Sequence, residues 1–218
     1  MLEMMDHKAH GGKLRIGVLA SGRGSNFQAI IDSVESGYLP VEIAVLVCNN
    51  PDAGAIERAK RHGIPWKYID HRGKTREEFE RKVIEVLDGY GVELVVLAGF
   101  MRILTPFFVN HYPNRIINIH PALLPSFPGT HAQKDALEYG VKVSGCTVHF
   151  VTTEVDGGPI IIQRCVPVLE DDTVETLAAR ILREEHRALP EAIKLFAGGR
   201  LRVEGRRVRI LPPNKSIL

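Results

Sequence analysis

The chain has 218 residues, 44% hydrophobic and 25% charged, with a formal net charge of +2. At roughly 100–200 residues per domain, that is one large domain or two small ones, with a core that needs no metal or disulfide staple. The balanced charge gives no support to a broad nucleic-acid footprint. No apolar run reaches the roughly 20 residues of a membrane helix, and three scattered cysteines (Cys48, Cys146, Cys165) argue against a disulfide scaffold or zinc ribbon.

In chain order, residues 1–12 read as a polar leader ending in two glycines. Residues 13–20 form an apolar run expected to be a buried strand, followed by a glycine-bearing turn at 21–26. Phe27, Ile30, Ile31 and Val34 then repeat at helical spacing over 27–36. Strand 41–48, helix 53–62, a short strand at 66–69, helix 75–87 and the wholly apolar strand 94–98 continue the alternation. That order predicts an α/β fold with a mostly parallel central sheet flanked by helices. Thr105-Pro106 reads as a helix start, 115–119 as a strand and 134–139 as a helix. Between them lies a loop dense in proline (Pro121, Pro125, Pro128), a kind that is usually functional. Strands at 144–151 and 160–168 are joined by a short turn and should pair antiparallel. A helix over 173–197 contains Pro190, an expected kink or break. A hairpin about Gly205 and a tail at 212–218 complete the chain. One domain over 13–211 is the simplest reading.

Three segments carry chemistry. Ser21-Gly22-Arg23-Gly24-Ser25-Asn26 joins a strand to a helix, so its N–H groups and the helix N-terminus can hold an anion. Ser25 and Asn26 add side-chain donors or cap the helix. A tight turn that binds nothing accounts for the same glycines. No Gly-Lys-Ser/Thr follows and Phe27 fills the third glycine position of a dinucleotide fingerprint, so a single phosphate is favoured. Asn118 and His120, two apart on a strand, share a face and would bring an amide donor and a proton-transfer group to one crevice. Asp156 precedes Gly157-Gly158-Pro159, and a carboxylate on that turn can face His120. A strand-capping histidine and an ordinary Asp-Gly turn remain the plainer readings. His131 could line the same cleft, and His149 reads as a buried, satisfied residue. Glu185 falls on the apolar stripe of the last main helix, where a carboxylate needs a partner; a place at the stripe's edge fits equally well. No histidine pair with metal-ligand spacing on a helix is present.

Together with Leu97-Ala98-Gly99-Phe100-Met101-Arg102-Ile103-Leu104 and Asn118-Ile119-His120-Pro121-Ala122-Leu123-Leu124-Pro125, these motifs stand in an order that resembles the folate-dependent formyltransferase family, and within it the phosphoribosylglycinamide formyltransferases. The resemblance runs from about residue 14 to about 210. It implies a single-domain, Rossmann-like formyltransferase fold with antiparallel strands in the C-terminal half. It further implies a ribonucleotide half (13–98) and a folate and catalytic half (99–211). By position, Asn118, His120 and Asp156 would be catalytic, and Gly24, Ser25, Asn26 and Glu185 would hold the ribonucleotide. Arg76, Met101, Arg102, Ile103, Leu104, Thr152 and Val155 would meet 10-formyltetrahydrofolate, the co-substrate, with no metal. The implied partners are small molecules, not nucleic acid or membrane, in a cytoplasmic monomer or weak homodimer. Hydrolysis of the formyl group, a different amine acceptor and a non-catalytic binding module are the competing readings. Ser126-Phe127-Pro128-Gly129 stands after Pro125 where the similar transfer-RNA formyltransferases usually carry an Arg-Trp-Arg-Gly type stretch.

Overall fold

The structure is a computed structural model and describes residues 12–213. The expected leader and tail fall outside these residues except at their inner ends. Nine strands form one sheet in the order β3-β2-β1-β4-β5-β6-β7-β9-β8. They are β1 (Leu14–Ala20), β2 (Val41–Cys48), β3 (Trp66–Tyr68), β4 (Leu94–Leu97), β5 (Ile116–His120), β6 (Val143–Phe150), β7 (Ile160–Pro167), β8 (Leu201–Glu204) and β9 (Arg207–Ile210). From β3 to β5 all pairings are parallel; β5–β6 and β6–β7 are antiparallel. The hairpin of β8 and β9 joins the sheet through one parallel pair, Ile160 with Arg207.

The parallel strands are apolar along their length because helices cover both faces. Alternate residues sort between two cores. Val18 and Ala20 face a cluster with α1 (Ser25–Glu35), α2 (Gly54–Arg61) and α6 (Val174–Ala197) through Phe27, Ile56, Ile181 and Leu189. Leu19 faces the other cluster, with Phe79 and Leu87 of α3 (Arg76–Gly89) and Phe108 of α4 (Pro106–His111). A short α5 (Ala132–Tyr139) precedes β6.

Two local expectations change. The first helix begins at Ser25, two residues earlier than its apolar spacing suggests. Gly24 is its N-cap, in the left-handed region at φ 74, and no side chain caps it. Pro190 does not break α6, which runs unbroken for 24 residues with Pro190 buried on its inner face. Packing of that face against the sheet outweighs the lost amide bond.

Strand order reverses between β1 and β4, since the chain moves outward to β3 and then returns to the other side of β1. Open α/β sheets take ligands in the crevice at such a reversal, beyond the C-terminal ends of the strands. The 21–26 turn leaves β1 at that edge, the 99–105 loop leaves β4, and Asn118 and His120 end β5.

Candidate active site

Gly24 is required twice over. Its φ is one that side chains rarely adopt, and a Cβ there would lie 2.7 Å from the Ala55 Cβ. Only glycine lets α2 approach the turn this closely. With no side-chain cap, the N–H groups at the start of α1 stay available to an anion. Arg58 of α2 braces the turn, donating from Nε to the Arg23 carbonyl at 2.9 Å and from Nη1 to Gln28 at 3.0 Å. Ser25, Gln28, Asp32, Arg58 and His186 line an open hollow of about 460 Å³ beside it. Burial lowers the His186 pKa, helped by Arg23 and Arg58 and opposed by Asp32.

Glu185 is buried on the inner face of α6, 7% exposed, and accepts a 2.7 Å hydrogen bond from Asn26 Nδ2. The chain thus supplies the partner that an inward carboxylate needs, across 159 residues of sequence. Burial raises the Glu185 pKa, and the Asn26 amide partly offsets this. Asn26 Oδ1 is buried with no partner.

Asn118 and His120 project from β5, where they lie opposite His149 and Thr147 of β6. His149 donates from Nδ1 to the Phe150 carbonyl at 2.9 Å, so its Nε2 is left as an acceptor. Asn118 Nδ2 donates to that Nε2 at 3.3 Å and keeps a second N–H for the crevice. Burial lowers the His149 pKa and so favours the neutral ring that this contact needs. His149 is therefore buried, as expected, but it also orients the amide. His120 donates from Nε2 to the Phe127 carbonyl at 2.8 Å, while its Nδ1 stands 3.6 Å from Asp156 Oδ2. The ring thus carries its proton on Nε2 for the Phe127 carbonyl and turns its other nitrogen towards the Asp156 carboxylate. Asp156 sits at φ 51 and is fixed by the Gly129 N–H, 2.8 Å from Oδ2. Gly158 allows the turn, because a Cβ there would meet the Phe150 carbonyl oxygen at 1.7 Å.

The residues assigned to the co-substrate gather on three segments. Met101 and Ile103 are 71% and 54% exposed, while Leu104 is buried in the core beneath them. Arg102 lies over the Phe79 ring at 5.1 Å. Arg76 is the exposed first residue of α3. Val155 is exposed, and Thr152 bonds within its own turn, to the N–H of Glu154 at 3.3 Å. His131 is exposed, and its ring meets the Thr130 hydroxyl at 3.1 Å, outside the catalytic group.

Known proteins resemble this chain over most of its length. Residues 14–193 match the formyl transferase family model. A phosphoribosylglycinamide formyltransferase of Escherichia coli is 45% identical over 191 residues, covering 87% of this chain and 90% of that protein. The chain belongs to the formyl transferase family. A trifunctional purine biosynthetic protein of Gallus gallus is 48% identical over 90% of this chain, which spans only 20% of that protein's length. Among solved structures, a glycinamide ribonucleotide transformylase from Symbiobacterium toebii is 55% identical with a TM-score of 0.91, covering 93% of this chain and 96% of that one.

This formyl transferase site also depends on residues that no motif marks. Thr147 accepts the Leu124 N–H at 3.1 Å and donates to the Ala122 carbonyl at 2.7 Å. Gln163 donates to the Leu124 carbonyl at 2.8 Å and to Thr147 at 3.0 Å. Together they clamp the proline-rich loop, whose Leu124–Pro125 bond is cis, onto β6 and β7. Their only sequence signal is polarity within apolar strands. Among the described residues no cluster of His, Cys, Asp and Glu is arranged to hold a metal. No helix there is long and apolar enough to cross a membrane.

Proposed function

We propose that this chain transfers the formyl group of 10-formyltetrahydrofolate to the glycyl amine of 5'-phosphoribosylglycinamide, giving the formylglycinamide ribonucleotide and tetrahydrofolate. The observation that carries this reading is the shared crevice. The uncapped turn that leaves β1, with the Asn26–Glu185 pair behind it, and Asn118 and His120 at the end of β5 stand at the same C-terminal edge of the parallel strands, with only β4 between them, and Asp156 faces His120 there. The close relationship to a full-length Escherichia coli phosphoribosylglycinamide formyltransferase supports the same substrate pair.

In this reading the turn holds the phosphate through the N–H groups at Gly24, Ser25 and Asn26, and the Glu185 carboxyl oxygens accept the ribose hydroxyls. Met101, Ile103 and Leu104 border the pterin, Thr152 and Val155 close over it, and Arg76 and Arg102 meet the benzoylglutamate end. The exposed apolar side chains at 101 and 103 suit a flat ring system. The neutral amine attacks the formyl carbon, and negative charge grows on the formyl oxygen. The free Asn118 N–H and the His120 imidazolium stabilise it, each well-placed donor contributing about 2.7–4 kcal/mol. His120 Nε2 exchanges the Phe127 carbonyl for the formyl oxygen, and Asp156 holds the ring's other face. As the bond to the folate nitrogen breaks, the proton lost by the amine, relayed through water at Asp156, ends on that nitrogen. No covalent enzyme intermediate is required. Burial pushes the Cys48 and Cys146 thiols up to about 12, far from a nucleophilic thiolate at neutral pH.

The test is tetrahydrofolate release from 10-formyltetrahydrofolate with and without the ribonucleotide. Release that depends on the ribonucleotide is the expected result. Release without it would identify a hydrolase, and none in either case a binding module. Asn118→Ala should lower kcat by about 10²–10³ while the KM for the formyl donor changes by no more than about threefold.

A further inference from the structure

Glu80 is 2% exposed, more deeply buried than Glu185, and no cation pairs with it among the described residues. A buried carboxylate is costly unless hydrogen bonds compensate it. Both Glu80 oxygens are committed to one residue. Oε1 accepts the Thr105 backbone N–H at 2.7 Å, and Oε2 accepts the Thr105 hydroxyl. Thr105 is the N-cap of α4, yet its side chain makes no capping bond; its hydroxyl is turned to Glu80 and donates there. Helix capping alone does not explain a charge placed here, since Thr105 could cap α4 unaided.

What the contact does is end a loop. At its start, the Met101 N–H donates to Ser21 Oγ at 2.8 Å. At its end, Thr105 is held by Glu80. The three residues between, Arg102, Ile103 and Leu104, are strung between these two fixed points. Phe79 adds a third support, stacking on Phe100 at 6.4 Å and 15° and lying under the Arg102 guanidinium. Arg76 stands four residues before Glu80, on the same face of α3. One helix turn therefore carries both the exposed Arg76 and the anchor of the 101–104 wall.

We propose that Glu80 is a positioning residue for the formyl donor, acting through Thr105 to hold the 101–104 wall in the place that binds it. The proposal rests on the reading of the crevice as a 10-formyltetrahydrofolate site. Uncoupling the wall lets Met101 and Ile103 drift from a preorganised binding surface, a loss felt in binding before chemistry.

The experiment compares steady-state kinetics and thermal melting of the wild type, Glu80→Ala, Glu80→Gln and Thr105→Val. Glu80→Ala should raise the KM for 10-formyltetrahydrofolate about tenfold, leaving kcat within about threefold and the ribonucleotide KM within about twofold. Glu80→Gln, whose amide oxygen still accepts and whose amide nitrogen can donate to the Thr105 oxygen, should return the donor KM to within about threefold of wild type. Thr105→Val deletes one of the two bonds without touching the buried carboxylate, and should raise the donor KM by about threefold to fivefold even if Glu80→Ala does not fold. A donor KM unchanged in Thr105→Val overturns the proposal. So does a loss shared equally by kcat and both KM values, which a general structural role would produce. A wild type that does not consume 10-formyltetrahydrofolate with the ribonucleotide overturns the functional reading itself, before any variant is compared.

Discussion

A carboxyl group whose folded form retains its proton costs stability wherever the solution removes that proton. Glu185 is such a group, because burial raises its pKa more than the Asn26 amide lowers it. Between the ordinary glutamate value of 4.5 and the raised one, the native chain binds more protons than the unfolded chain. Its contribution to stability is therefore full below the ordinary value and declines as pH rises through the raised one. Glu185→Gln removes that decline. The ligand-free variant should melt above the wild type at pH 7.5, the two converging towards pH 4. The KM for the ribonucleotide should rise about tenfold, because two accepting carboxyl oxygens become one amide oxygen. At this scale the sequence is a partial guide. Asn118 and His120 are readable together because strand period puts them on one face. The contact that aims the Asn118 amide is not readable, because His149 reaches it only through the pairing of β5 with β6.

Helix α3 is where one element serves several needs. Thr75 and Glu78 close a capping box at its start, with the Thr75 oxygen 3.2 Å from the Glu78 N–H and the Glu78 carboxylate 2.7 Å from the Thr75 N–H. Thr75→Ala should cost about 1 kcal/mol, read as a lower urea midpoint at unchanged slope. The fraying stops within one turn, since Phe79 and Glu80 are locked into the core, so Arg76 bears it. The donor KM should rise and the ribonucleotide KM should not. The start of α3 is legible because the Thr75 side-chain cap leaves a sequence signature, and the start of α4 because Pro106 follows Thr105 at the first helical position. The start of α1 is not, because its cap is a left-handed glycine and its first two residues belong to the ligand turn. Nor does sequence spacing reveal that α6 survives Pro190, since that depends on the sheet it packs against.

Across the whole molecule, two histidines with lowered pKa values, His149 and His186, contribute to the response to acid. Burial lowers the pKa of His149 against the pull of the Phe150 carbonyl and Asp156, with His120 adding to the lowering. Burial acts likewise on His186. The unfolded chain takes up protons near the ordinary histidine value of 6.5 that the native chain refuses until lower pH. Stability is thus fully present above that value and is lost as pH falls through and below it. The urea midpoint should drop between pH 7 and pH 5, and His149→Gln should make that drop shallower. The alternation of strands and helices made the parallel half of the sheet legible. The crevice follows from it only once the strand order is known, because the reversal beside β1 has no local signature.

Ser21 closes the chain of contacts at that reversal. Its hydroxyl donates to Asn49 Oδ1 at 2.7 Å and accepts the Met101 N–H, so one oxygen belongs to the turn that leaves β1 and to the loop that leaves β4. Re-engineering either loop for a different ligand therefore means rebuilding both. A library that varies residues 101–104 alone inherits a hinge point it does not control, and grafting a longer 21–26 turn unhooks the neighbouring wall. The smallest interchangeable part of this crevice is the pair of loops together with the serine they share.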